Sequence, residues 1–487
     1  MKSTKKYLAS IGSALLGCFV MPIYFFVSNY PQFDLKDTFL VATIFLGIFA
    51  CIAMLPWFVF RDIDKVSFCM YGAGIVFWFS HPLASFLRGR MPGFIEHSGF
   101  QWSLLIVFSL ISIICLLFVA KYFSTLIKGV NGFLSLFTFL ALVMLLSEGC
   151  WKIYSASKSI TSGNSSRSVS NGKQYPNVYH ILLDAHPNLK AMEIIGGDLK
   201  PFYLNLEDLG FVTFPESRSN YPDTKLSVSS MLNMDYLKST FAIRNNKVFN
   251  KFREHNYKIL LCTDNRMINS LYAKEDGCLF SSSSLTLQLY NLISRTPVKH
   301  IYENMFKHSF KSSCKQAVEG CFQTLEQCKD IYGSHNNVFY AHILCPHEPC
   351  VFSKEAKNRS FSGFLIKLDL SHLRTKETHQ AYRENTYGVD AFALKCIKKI
   401  LQQYKAESMK PVIVLHSDHS ILYGGINDLG NPFITADTVY GNLLALYVPE
   451  EWKKDAKDLT FINLYRWIFN HLFGENYPYF KENKQMK

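Results

Sequence analysis

The chain has 487 residues, 49% of them hydrophobic and 18% charged, which is too apolar for an ordinary soluble protein and excludes a disordered or fibrous one. Its 51 Lys/Arg against 38 Asp/Glu give a net charge of +13, too small an excess over this length to indicate nucleic-acid binding. The apolar residues are not spread evenly but cluster towards the amino terminus, the pattern of a membrane protein.

Five stretches each approach the roughly 20 residues that a helix needs to cross a bilayer: Tyr7 to Tyr30, Thr38 to Phe60, Val66 to Leu87, Trp102 to Ala120 and Val130 to Trp151. The first follows Lys2, Lys5 and Lys6 as a signal peptide would, but lacks a convincing small-residue cleavage site and is read as a retained span. Basic residues set the orientation. Lys2, Lys5, Lys6, Arg61, Lys65, Lys121 and Lys128 lie on one side, against Lys36, Arg88 and Arg90 on the other, so the amino terminus is expected inside. An odd number of spans then places everything after Trp151 on the outer, periplasmic or extracellular, face of the cytoplasmic membrane.

The expected organisation is a five-helix membrane domain over residues 1–151, a flexible linker over 152–175 and an outer domain over 176–487. The linker expectation rests on the Ser/Asn/Gly-rich run from Ser155 to Tyr175. In the outer part, short apolar runs at Val178 to Leu183, Lys258 to Cys262, Val338 to Leu344, Val412 to Leu415 and Leu443 to Val448 alternate with helical patterns such as Tyr382 to Gln403. Near-continuous apolar strands are buried on both faces, which predicts a mostly parallel sheet in an α/β/α sandwich. Ligands of such sheets bind beyond the carboxyl ends of the strands.

Four polar positions follow those strands: Asp184, Asp264, His347 and the pair Asp418-His419. Carboxylates and imidazoles together suit a divalent metal, although an Asp after a strand is by itself more often a turn or cap residue. Thr224, in the segment from Ser217 to Leu237, sits near the expected start of a helix, where its hydroxyl is read either as a cap or as a group meeting a phosphate ligand. Eight of the 13 cysteines lie in the outer part, an even set in a compartment that permits disulfides. Cys314, Cys321 and Cys328 are seven apart, roughly 10 Å along a continuous helix, and so cannot pair as neighbours unless Gly320 breaks it.

The segments YHILLDAHPN, SNYPDTKLSVSSMLNMDYL, YAHILCPHEPCVF and VIVLHSDHS, in this order, resemble the alkaline phosphatase superfamily, specifically its sulfatase-like membrane phosphotransferases. These include phosphoethanolamine transferases and lipoteichoic-acid synthases, which join five spans to an outer catalytic domain. The resemblance implies that Asp184, Thr224, Asp418 and His419 bind the metal, zinc or manganese, that Thr224 is the nucleophile, and that His347 contacts the substrate phosphate or a second metal. His342, earlier in the same segment, reads as a structural hydrogen-bonding residue. Two departures stand out. Many of these transferases have Glu where Asp184 stands, and the C/S-x-P-x-R pattern of true sulfatases is absent after Thr224, where Lys225, Leu226 and Ser227 follow.

The implied activity is transfer of a phospholipid head group, phosphoethanolamine or phosphoglycerol, from a membrane donor to a cell-envelope glycan or lipid through a phosphothreonine. The alternatives are a phosphodiesterase or sulfatase-like hydrolase of the same fold, in which water resolves the intermediate, and a non-catalytic envelope assembly protein. A transporter is disfavoured because the spans lack deep charged residues.

Overall fold

The computed structural model describes residues 2–28, 56–90, 111–163, 173–237, 245–264, 277–281, 299–347, 350–352, 376–420, 436–456 and 459–480, with single positions between 43 and 54 and at 243 and 272. The chain forms two compact units, Met1–Ser166 with Ser283–Lys307, and Arg167–Ser282 with His308–Lys487.

The first unit is helical, with α1 (Lys2–Ser28), α2 (Ile63–Arg90) and α3 (Ser124–Gly163). Small and hydroxylated residues bring the three together: Ser10 Oγ lies 3.0 Å from Ser67 Oγ, and the Tyr71 hydroxyl lies 2.7 Å from Ser13 Oγ and 3.3 Å from Ser135 Oγ. A Cβ on Gly17 would come within 2.4 Å of the Tyr71 ring, so the approach of α1 to α2 requires glycine there. Such small-residue contacts and interhelical hydroxyl bonds are how helices associate where water supplies no hydrophobic drive. The outer surface is apolar, with Phe133, Phe137, Leu140 and Met144 exposed along one stripe of α3.

Ser124–Trp151 is long and apolar enough to cross a membrane, and shorter apolar helical stretches occupy Ser10–Val20 and Ile111–Tyr122. The expected spans Thr38 to Phe60 and Trp102 to Ala120 lie partly outside the described residues. Helix α3 runs past Trp151 to Gly163, so the first part of the stretch expected as linker is helical. Lys152 to Thr161 contains no Gly or Pro to stop it, and the first such residue is Gly163.

The second unit is built on a seven-stranded sheet of β1 (Val178–Leu183), β2 (Val212–Thr213), β3 (Lys258–Thr263), β4 (Gly277–Ser281), β5 (Asn337–Ile343), β6 (Val412–His416) and β7 (Leu444–Tyr447), in the order β2-β7-β6-β1-β5-β3-β4. Strands β6, β1, β5, β3 and β4 are parallel, whereas β7 and β2 add antiparallel at one edge. The sheet is thus mixed rather than uniformly parallel. Strand β1 lies between β5 and β6 at the centre of the sheet, and the ends of such neighbouring parallel strands are where ligands of this architecture bind.

The helices are α4 (Leu189–Ile194), α5 (Lys200–Asp208), α6 (Thr224–Asn233), α7 (Lys247–Glu254), α8 (Lys299–Tyr332), α9 (Lys376–Gln403), α10 (Ala436–Tyr440), α11 (Glu450–Lys453) and α12 (Leu464–Phe473). Alternation along the strands divides the core into two layers. Tyr179, Ile181, Leu183, Phe339 and Ile413 face Phe322, Leu325, Ala393 and Ile397 of α8 and α9. Val178, Leu182, Tyr340 and Val414 face Met231, Phe252, Tyr465 and Phe469 of α6, α7 and α12. This is the α/β/α sandwich anticipated from the apolar runs. Gly320 does not interrupt α8, Cys321 and Cys328 pack in the core, and no disulfide forms among the described cysteines.

Candidate functional site

The carboxyl ends of β1 and β6 carry Asp184 and the Ser417-Asp418-His419 turn, which parallel pairing of the two strands brings side by side. Asp184, Asp418 and His419 are buried, with one potential ligand atom of each lying within 4.8 Å of the others. They form the single ion-capable cluster among the described residues. The third expected strand-end carboxylate, Asp264, is not part of it. Both Asp264 oxygens accept the Leu344 N–H at 3.0 Å, tying the end of β3 to that of β5, and burial pushes the carboxyl up to about 7. Asp264 therefore acts as a turn anchor.

The hydrogen bonds within the cluster hold one oxygen of each carboxylate and leave the other bare. Asp418 Oδ1 accepts the backbone N–H groups of Ala185 at 3.1 Å and His419 at 3.0 Å, while Oδ2 has no hydrogen-bond partner among the described residues. Asp184 Oδ2 lies 3.3 Å from His342 Nε2, and its Oδ1 likewise has no partner. His419 Nδ1 lies 2.8 Å from the Ser420 carbonyl, which can only accept, so Nδ1 carries the proton and Nε2 presents its lone pair. That nitrogen is 3.5 Å from Asp184 Oδ1 and 3.6 Å from Asp418 Oδ2.

Thr224 completes the arrangement, with Oγ1 3.3 Å from His419 Nε2. The alternative reading of Thr224 as a helix cap falls to its neighbour: Asp223 is the N-cap of α6, its side chain accepting the Leu226 N–H at 3.0 Å. The Thr224 hydroxyl is thereby left to face the cluster from the first turn, where the helix dipole favours negative charge. Ser227, one turn on, donates to the Asp418 carbonyl at 2.5 Å and ties α6 to the Asp418-His419 turn. Lys225 is exposed.

A tetrahedral ion with bonds of 2.0–2.1 Å holds its ligand atoms about 3.3–3.4 Å apart, close to the 3.3, 3.5 and 3.6 Å found from His419 Nε2 to the three oxygens. Bare buried carboxylate oxygens are costly unless a cation or donor meets them, so the donor set fits a divalent metal. Electrostatics agree. Burial pushes the Asp184 carboxyl up, but the hydrogen bond from His342 and the nearby imidazoles of His347 and His419 outweigh it and hold it below its ordinary value. Burial draws His419 down, and the carboxylates of Asp418 and Asp184 outweigh that and raise it.

His347 stands at the mouth of the site, half-buried, its ring centroid 6.4 Å from that of His419 and its backbone N–H bonded to the Asp184 carbonyl at 2.9 Å. His342 has the hydrogen-bonding role expected of it, and within the cluster: besides Asp184 it meets the Tyr272 hydroxyl at 2.8 Å through Nδ1. Sequence reasoning missed Tyr272, whose surroundings have no local signature, and the buried pair His186–Asp390 at 2.7 Å, although His186 lies two residues from Asp184.

No protein-family model matches the sequence, and no curated protein matches it. Among solved structures, the C-terminal periplasmic domain of phosphoethanolamine transferase EptC from Campylobacter jejuni aligns at 15% identity and a TM-score of 0.40, over 62% of this chain and 91% of that one. The integral membrane protein lipooligosaccharide phosphoethanolamine transferase A from Neisseria meningitidis aligns at 14% and 0.39, over 94% and 91%. A phosphonate monoester hydrolase from Agrobacterium radiobacter aligns at 14% and 0.35, over 56% and 68%. In structure the chain is similar to phosphoethanolamine transferases and to a phosphonate monoester hydrolase.

Proposed function

We propose that the protein is a metal-dependent phosphotransferase of the cytoplasmic membrane, anchored by five spans, whose outer domain moves a phospholipid head group to a cell-envelope glycan or lipid. The observation that carries this reading is the convergence of Asp184 Oδ1, Asp418 Oδ2, His419 Nε2 and Thr224 Oγ1, two of them buried oxygens without a hydrogen-bond partner among the described residues. The Thr224 hydroxyl is not spent on capping its helix, which Asp223 does, and faces His419 Nε2 at 3.3 Å.

Asp184, Asp418, His419 and Thr224 would hold zinc or manganese. When bound, the ion supplies the positive charge that favours the threonine alkoxide and neutralises the oxygens of the transferring phosphate. Thr224 Oγ attacks the phosphorus of phosphatidylethanolamine or phosphatidylglycerol, the bond from phosphorus to the diacylglycerol oxygen breaks, and that oxygen takes a proton from His347. The phosphothreonine is then resolved by an acceptor hydroxyl, which gives its proton to His347 as it bonds to phosphorus and the bond to Thr224 Oγ breaks. His347 suits this exchange because it lies at the rim, half-buried, whereas Asp184, Asp418 and His419 are enclosed. The apolar stripe of α3 and the span Ser124–Trp151 support a membrane anchor that keeps a lipid donor within reach.

Mass spectrometry of the full-length, metal-loaded protein incubated with vesicles of either lipid tests the reading. A head-group phosphate adduct on the Thr224 peptide is expected, and it should be missing in Thr224→Ala. No adduct with either lipid would sink it. Release of the head group to water with no transfer to any hydroxyl acceptor would replace it by hydrolysis.

A further inference from the structure

Helix α9 lies among apolar core residues, yet Tyr382, Asn385 and Asp390 on it are polar and at most 5% exposed. At 100° per residue their spacing puts all three within an arc of about 140°, one stripe of the helix. A buried polar group is costly unless it is hydrogen-bonded, so the partners of this stripe say what it is for. None of the four partners described next is on α9 itself.

The Tyr382 hydroxyl donates to the Ala185 carbonyl. Asp390 Oδ1 lies 2.7 Å from His186 Nε2, and the other ring nitrogen lies 2.9 Å from the Pro187 carbonyl. Asn385 Nδ2 donates to the Pro346 carbonyl at 2.9 Å, and its Oδ1 accepts the Phe352 N–H at 3.1 Å. Two of the three side chains thus grip the turn that follows Asp184, and the third grips both sides of the segment that carries His347.

That turn needs holding. Ala185 has φ of +60°, a left-handed conformation that a side chain makes unfavourable. In that conformation its N–H reaches Asp418 Oδ1 and leaves Oδ2 free to face the cluster. Ser417 Oγ bonds the His186 carbonyl at 2.5 Å from the other side, so the turn is pinned between β6 and α9.

We infer that α9 is the positioning helix of the site: Tyr382 and Asp390 set the Asp184 turn and through it Asp418, while Asn385 independently sets the His347 segment. This rests on reading Asp184, Asp418 and His419 as ion ligands and His347 as the proton carrier. The three are positioning residues, since none touches the reacting atoms.

The test uses the full-length protein in detergent, with zinc affinity measured by competition against a chelating dye, transfer kinetics measured with phosphatidylethanolamine, and melting followed in parallel. Tyr382→Phe, which loses one hydroxyl, and Asp390→Asn should weaken zinc binding by roughly ten- to a hundred-fold, the range seen when partners behind metal ligands are removed. Turnover in both should recover at saturating zinc. Asn385→Ala should keep wild-type zinc affinity and lower kcat about ten-fold or more at every zinc concentration. Unchanged zinc affinity in a folded Tyr382→Phe and Asp390→Asn, or an Asn385→Ala defect cured by zinc, would overturn the inference. Failure of the ligand assignment looks different: wild type and Asp418→Asn would then bind zinc equally weakly.

Discussion

Buried polar residues on strands β1 and β6 and just beyond their ends form two clusters of opposite character. Along the strands, His180 and His416 make a closed chain with Tyr465: the Tyr465 hydroxyl meets His180 Nδ1 at 2.5 Å, His180 Nε2 meets His416 Nε2, and His416 Nδ1 meets the Ser417 carbonyl at 3.1 Å. With the carbonyl fixing one proton, each remaining contact has one donor and one acceptor, and both rings are neutral. Burial enforces this, pushing His416 down to about 3 and His180 well below its ordinary value. Just beyond the strand ends, Asp184, Asp418 and His419 are as deeply buried, yet present bare oxygens and a lone pair to one point. Burial and polarity alone therefore do not mark the site. Buried carboxylate oxygens without a hydrogen-bond partner converging beside an imidazole lone pair do, because a cation or a substrate donor resolves them.

The sharpest way to break this comparison is to exchange the character of the open cluster. Asp418→Asn and His419→Ala should abolish zinc binding and lower transfer by about a thousand-fold or more, as losses of nucleophile-activating groups commonly do. Thr224→Ala should lose transfer equally while retaining zinc through the three remaining ligands. Metal analysis beside a transfer assay separates the two classes, and a zinc-free Thr224→Ala or an active His419→Ala would contradict the assignment.

Changes in the closed cluster should instead register as stability. His180→Leu or His416→Leu alone strands the other imidazole in the core at a cost of about 1–3 kcal/mol, whereas the double variant should lose less than the sum. Transfer per folded molecule should not change. A double-mutant cycle from denaturant melts checks this, and strict additivity would show that the two rings are not coupled.

Asp264 sharpens the contrast through pH. Its folded value near 7 lies above the ordinary carboxylate value of 3.8, so the native state binds the proton more tightly than the unfolded chain. Its contribution is fully present below about 4 and is lost as pH rises through about 7, amounting to a few kcal/mol at most. The difference in melting temperature between wild type and Asp264→Asn should consequently move in favour of the variant between pH 4 and 7, and a flat difference would refute the buried, protonated carboxyl. The smallest effect belongs to Asp223→Ala, which removes the cap of α6 and should cost about 1 kcal/mol, read as a modest drop in melting temperature.

Strands β1, β3, β5, β6 and β7 were legible in the sequence because burial on both faces demands continuous apolar runs such as VYHILL and VIVLH. Strand β2 has two residues and β4 contains Gly277 and Ser281, so neither carries a period, and each exists through its neighbour in the sheet. The antiparallel edge formed by β7 and β2 was invisible for the same reason: an apolar run has no direction.

At the site, the residue types and their places after strands pointed to Asp184, His347, Asp418 and His419, because a chain that leaves a parallel strand must put its next polar residue at the sheet's end, whereas Thr224 was marked by its place at a helix start and by the family resemblance. Asp264 met the same local description and serves a different purpose, since only the register of β3 against β5 puts the Leu344 N–H beneath it. The sequence by itself determined the apolar helical unit, the five principal strands and the chemical types gathered at their ends, all of which follow from local hydrophobicity and alternation. Tertiary structure alone decided which lone pairs are used up and which remain. Tyr272, Tyr382, Asn385 and Asp390 come to the site from distant segments, and a hydrogen bond depends on where two groups meet, not on where they lie along the chain.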